Sequence, residues 1–99
     1  MKIYIAGNFP PKGSKHRELI KSFQKAKGNT VFDSADLPEN MSKADYVRSC
    51  FSMIDSADKV FVLPGWKSDF LSQLEIYYSK LLDKHLVRME VWIPKGEEL

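Results

Sequence analysis

Lys59-Val60-Phe61-Val62-Leu63 is the stretch on which the fold turns. Its residues after Lys59 are apolar without alternation, and Pro64-Gly65-Trp66 stops it abruptly. A strand that is apolar on both faces belongs in the middle of a parallel sheet, with helices covering it above and below. Working toward the N-terminus, a helix that presents Val47, Cys50, Phe51 and Ile54 precedes Asp58. Ser42 and Asp45 stand at its start as a capping pair. Further back, Thr30-Val31-Phe32 makes a brief strand, and a polar loop containing Pro38 follows it. Ser14 is the N-cap of a helix over 14–27 with Leu19, Ile20, Phe23 and Ala26 at helical spacing. Lys2-Ile3-Tyr4-Ile5-Ala6 is a first strand that stops at Gly7. Toward the C-terminus a third helix spans 69–84, a last strand 86–93, and 94–99 reads as a frayed tail.

Strand and helix therefore alternate four strands to three helices with short connections. That order predicts an α/β, Rossmann-like three-layer sandwich on a four-stranded parallel sheet, as one domain over 1–99. Ligands of such sheets bind at the carboxyl ends of the strands. The rule points to three loops: 7–14, 34–40 and 64–69.

Composition narrows the partners. The 99 residues carry a net charge of only +2, with 43% hydrophobic and 28% charged residues. This is ordinary globular chemistry, and nucleic acid is not an expected partner. The single cysteine, Cys50, excludes an intrachain disulfide and a cysteine-built metal site. His16 and His85 show no metal-ligand spacing, so neither metal nor cofactor is expected. No segment reaches the roughly 18 apolar residues needed to span a membrane, and Met1–Ala6 is too short for a signal sequence. A cytoplasmic protein is the expectation, and with so thin a core, a homodimer.

Glu75 is the most informative polar residue. Leu71, Leu74, Tyr78 and Leu82 form one stripe of the third helix, and Glu75 falls at the margin of that stripe. Two readings stand: a carboxylate aimed into a cleft, or the last member of a capping box Ser72-Gln73-Leu74-Glu75. Asp69 is either a binding group or an ordinary N-cap. The loop 7–14 runs into a helix N-terminus, where anions are favoured, and Lys12, Lys15, His16 and Arg17 either meet a phosphate or form a solvated basic start. It is not a Walker loop: the glycine spacing is one too long, and Ser14-Lys15 follows Gly13. Trp66 either stacks on a base or plugs the end of the sheet.

Ile3-Tyr4-Ile5-Ala6-Gly7, Ile54-x-x-x-Asp58, Leu63-Pro64-Gly65-Trp66, and Glu75 ten positions after Gly65 together resemble the nucleoside 2-deoxyribosyltransferase superfamily. The likeness is greatest to a branch of small uncharacterised proteins, often phage-encoded, that share the Leu-Pro-Gly-Trp turn. The resemblance implies a flavodoxin-like fold and a cleft for a nucleoside or nucleoside monophosphate. It implies Glu75 as nucleophile on the base–sugar bond and Tyr4 as the residue that orients it. It further implies substrate contacts from Gly7, Asn8, Ser14, Cys50, Gly65, Trp66 and Asp69. Cys50 stands where the family usually has an aspartate, eight positions before Asp58, and Leu71-Ser72 replaces a small Gly-Ala pair. The chain also ends before the last helix and strand of larger members. Two functions follow from the resemblance. One is an N-glycosidic-bond hydrolase or deoxyribosyltransferase, with an ionised Glu75 attacking the anomeric carbon. The other is an inactive nucleotide-binding protein of the same fold, which senses or sequesters its ligand.

Overall fold

The computed structural model describes residues 1–7 and 11–89. Asn8, the end of the expected last strand and the expected tail lie outside the described residues. The elements are β1 (Lys2–Ala6), α1 (Lys15–Ala26), β2 (Thr30–Asp33), α2 (Lys43–Ser56), β3 (Lys59–Val62), α3 (Phe70–Leu81) and β4 (His85–Arg88). Single 3₁₀ turns follow β2 at Ser34–Asp36 and precede α3 at Trp66–Ser68. The four strands are parallel in the order β2-β1-β3-β4, with Tyr4 opposite Phe32 on one side and Val60 on the other. This is the α/β three-layer arrangement that the alternation of elements predicts.

Helix α1 packs one face of the sheet, where Ile5, Ile20 and Leu63 form a small cluster. Helices α2 and α3 share the other face over the larger core of Tyr4, Ala6, Cys50, Ile54, Ala57, Val60, Val62 and Ile76. The chain thus leaves β1 for one face and returns to β3 from the other. The crevice between the carboxyl ends of β1 and β3 is the switch point at which doubly wound sheets bind ligands.

Two helices sit differently from their apolar spacing. On α1, Leu19, Phe23 and Ala26 face solvent, while His16, Arg17, Lys21 and Gln24 are buried beside Ile20. The cause is electrostatic. Arg17 donates through Nε and Nη2 to both carboxylate oxygens of Asp33 at 3.0 and 2.9 Å, and through Nη1 to the carbonyl of Gly7 at 2.9 Å. Lys21 completes the group on Asp36 at 2.9 Å and Asp33 at 3.4 Å. Buried charges are tolerated when paired and hydrogen-bonded in this way. On α3 the buried stripe is Ser72, Glu75, Ile76 and Ser79, whereas Leu71, Leu74 and Tyr78 are half-buried and Leu82 is exposed. Glu75 is therefore central to the buried face, not at its margin.

The ends of the elements are fastened locally. Ser14 caps α1 by accepting from the Arg17 N–H, and Ser42 caps α2 by accepting from the Asp45 N–H. The Asp45 carboxylate turns to Arg48 instead of closing a box on Ser42. Asp58 accepts from the Lys2 N–H at 2.8 Å, clamping the start of β1 to the turn before β3. Lys84 donates to the Asp55 and Ala57 carbonyls at the end of α2. Among the described residues no helix is long and apolar enough to cross a membrane.

Candidate active site at the carboxyl ends of β1 and β3

Gly7 is where β1 ends, with φ +120°, and a Cβ there would stand 2.8 Å from the Cβ of Leu63. No side chain fits between the two strand ends, which lie in direct contact. Gly65, with φ +78°, turns the chain out of β3 toward α3 in a left-handed conformation. Asp69 then caps α3, accepting from the Ser72 N–H at 3.0 Å and the Ser72 Oγ–H at 2.6 Å. The capping-box alternative is thereby overturned, because Asp69 and not Ser72 starts the helix and the Glu75 carboxylate does not turn back to the first amides.

The Glu75 carboxylate instead accepts a hydrogen bond from the Tyr4 hydroxyl. Tyr4 is fully buried on β1, and Glu75 is 5% exposed. Burial pushes the Glu75 carboxyl up to about 7, against the pull of the Tyr4 hydroxyl and of the Lys12 and Arg17 charges. Asp69 adds to the rise. The expectation of an ordinarily acidic, ionised Glu75 is corrected by this: in the unliganded protein it is near half-protonation at neutral pH. Tyr4 is driven well above its usual range by burial and by the neighbouring carboxylate, so its O–H stays a donor. The Cys50 thiol is raised by burial, against the pull of the neighbouring Tyr4 hydroxyl.

Two hollows meet here. Beside Glu75 is a crevice of only about 10 Å³, lined by Tyr46, Val47, Cys50, Phe51, Leu71 and Leu74. Adjoining it is an open cleft of about 530 Å³ between the loops after β1 and β2. Lys12, Ser34, Lys43, Tyr46 and Leu71 are among its walls. Tyr46 and Leu71 border both hollows and form the partition between them. Ser34 is 3% exposed, and its Oγ has no hydrogen-bond partner among the described residues. Lys12 donates to the Tyr46 hydroxyl and lies 5.1 Å from the centre of its ring.

The sequence candidates divide accordingly. Tyr4, Cys50 and Glu75 come together, and Asp69 is near enough to act on the Glu75 charge, whereas Gly7 borders neither hollow. Ser14 is spent on its helix cap, and Arg17 on Asp33 and Gly7. Of the basic start, Lys12 lines the cleft while Lys15 is exposed elsewhere. Gly65 and Trp66 border neither hollow. Trp66 packs edge-on to Tyr77 at 6.3 Å, with Lys67 and Lys80 over its ring. Tyr46, Ser34 and Lys43 escaped sequence reasoning, because a half-buried tyrosine and loop polar residues carry no spacing signal. Among the described residues no cluster of three or more His, Cys, Asp or Glu could hold a metal ion.

No curated protein matches the chain. Its fold is similar to that of a solved structure of the 2-deoxyribosyltransferase from the psychrotolerant bacterium Bacillus psychrosaccharolyticus. The TM-score is 0.73 at 22% sequence identity, over 100% of this chain and 77% of that one. Residues 1–88 match the family described as "Domain of unknown function (DUF4406)", and the chain belongs to that family.

Proposed function

We propose that the protein cleaves or transfers at the N-glycosidic bond of a nucleoside or nucleoside monophosphate, with Glu75 as nucleophile. The observation that carries this reading is the buried Tyr4–Glu75 hydrogen bond at the switch point of the sheet. A carboxyl held by a neutral donor in an apolar wall suits covalent attack on an anomeric carbon, with retention after a second displacement. Fold similarity to a 2-deoxyribosyltransferase supports the same substrate class. The cleft of about 530 Å³ lies in the size range of small-molecule sites. Lys12 and Lys43 on its walls suit a 5′-phosphate, a role to which the Asp33-bound Arg17 is not free to contribute.

Base release from a panel of deoxynucleosides and their 5′-monophosphates, followed by chromatography, tests the reading. Release by the parent and none by Glu75→Ala is the expected result; equal release at background by both ends it. One observation favours an inactive nucleotide-binding protein instead: the crevice at Glu75 is far too small for a sugar unless Leu71 moves. Nucleotide binding by calorimetry, unaltered in Glu75→Ala and without base release, would select that alternative.

A homodimer belongs to the same proposal, supported by exposed apolar stripes at Leu19 and Phe23 on α1 and at Phe70, Tyr77 and Leu81 on α3. Sedimentation as a monomer at high micromolar concentration would remove it.

A further inference from the structure

A nucleobase that departs from a sugar carries its bonding pair away on a ring atom, and most bases leave readily only if a proton arrives with the pair. Glu75 is committed to the sugar, and Tyr4 donates its proton to Glu75. Cys50 is a weak donor whose thiol is held protonated by burial. Among the residues lining both hollows, Tyr46 alone carries a hydroxyl, Leu71 being the other member of the partition. Its oxygen accepts from the Lys12 ammonium, which leaves its own O–H proton available to give. The same cation sits directly against that oxygen, so negative charge that develops on the phenol oxygen is stabilised where it forms.

We infer that Tyr46, polarised by Lys12, is the general acid of this site. The inference rests on the glycosidic-cleavage reading above and adds the proton donor that reading lacks. In the step, the bond between the anomeric carbon and the base nitrogen breaks as a Glu75 carboxylate oxygen bonds to that carbon. The Tyr46 proton passes to the departing base, leaving a phenolate paired with Lys12. In the second half the incoming water or base returns a proton to Tyr46 as it attacks the glycosyl ester. Tyr46 sits on α2 one helical turn before Cys50, so a donor from the same helix serves the region where the resembling family has its aspartate.

The test compares 2′-deoxyguanosine with 7-methyl-2′-deoxyguanosine, whose base is already cationic and leaves neutral without a donor. Rates are taken above the buffer blank for the parent, Tyr46→Phe and Lys12→Met. Tyr46→Phe is expected to lower kcat on deoxyguanosine by about 10²-fold or more and on the methylated substrate by less than about threefold. Lys12→Met, at an exposed loop residue, is expected to show a smaller loss with the same substrate pattern. It keeps the test decisive should Tyr46→Phe fail to fold. Equal losses on the two substrates, or none on either, overturn the assignment of Tyr46 while leaving Glu75 as nucleophile. A parent that releases base from neither substrate overturns the assignment and the cleavage reading together.

Discussion

The Tyr4 hydroxyl and the Glu75 carboxylate, 71 positions apart in the chain, are hydrogen-bonded to each other in the wall between β1 and α3. Each shapes the other. The phenol keeps its proton because it is buried and faces a carboxylate, and the carboxyl accepts a bond that lowers a pKa otherwise driven upward by burial. Removing the hydroxyl alone, in Tyr4→Phe, is expected to reduce kcat by about 10- to 100-fold, the order of a positioned hydrogen bond lost from the transition state. Parallel kinetics with Glu75→Ala would check it, and a Tyr4→Phe variant as fast as the parent would show that the bond positions nothing.

The pH dependence follows from the same pair. Attack requires an ionised Glu75, so kcat/KM is expected to climb as pH rises through about 7, not through the ordinary glutamate range. Stability moves the other way. Below the unfolded value near 4.3 the carboxyl is protonated in both states and contributes nothing. Between there and about 7 the unfolded chain releases the proton that the folded chain keeps, so stability falls as pH rises, and the full cost persists above 7. Glu75→Gln is therefore expected to stabilise the protein by up to about 3 kcal/mol at pH 8 and to be neutral at pH 4. Urea melts at the two pH values measure the difference.

Leu71 divides the crevice at Glu75 from the larger cleft. Leu71→Ala is expected to join the two hollows and raise kcat/KM several-fold. Because the side chain is only half-buried, the stability cost should be about 1–2 kcal/mol, below that of a core leucine. Rate and melting curves of one preparation read both, and a slower Leu71→Ala enzyme would assign Leu71 to substrate contact instead.

Arg17→Met is expected to destabilise the fold by about 3–5 kcal/mol, because it strands the buried Asp33 and frees the Gly7 carbonyl. Asp33 is held below the usual carboxylate range by Arg17 despite its burial, so this contribution is present near neutrality and fades as the carboxyl protonates in acid. A double variant, Arg17→Met with Asp33→Asn, should recover part of the loss in chemical denaturation. Additive losses would mean that the two residues stabilise separately.

The sheet was the most legible part of the chain. Val60 to Leu63 are buried on both faces, as are Ile3 to Ala6 on β1. The helices were less legible because their apolar spacing does not mark their buried sides. Arg17 carried two readings, a phosphate contact or part of a solvated basic start, and neither is the buried pairing with Asp33 that the sheet brings about. Ser72 and Ser79 are small enough to let α3 approach the strands, which turns Glu75 inward and leaves Leu71 and Leu74 at the crevice. For the site, the resemblance supplied Glu75 and Tyr4 as a pair, while Tyr46 became visible only once α2 and the loop carrying Lys12 shared a wall.

The close approach of Gly7 to Leu63 has a consequence for how this pocket can be altered. Gly7 has no room for a side chain, so that position can offer a ligand nothing but its peptide groups. A new ligand preference must therefore be written into the surrounding rim, in Lys12, Ser34, Lys43, Tyr46 and Leu71. Exchanges there reshape the walls of the cleft and leave the contact of Gly7 with Leu63 as it is.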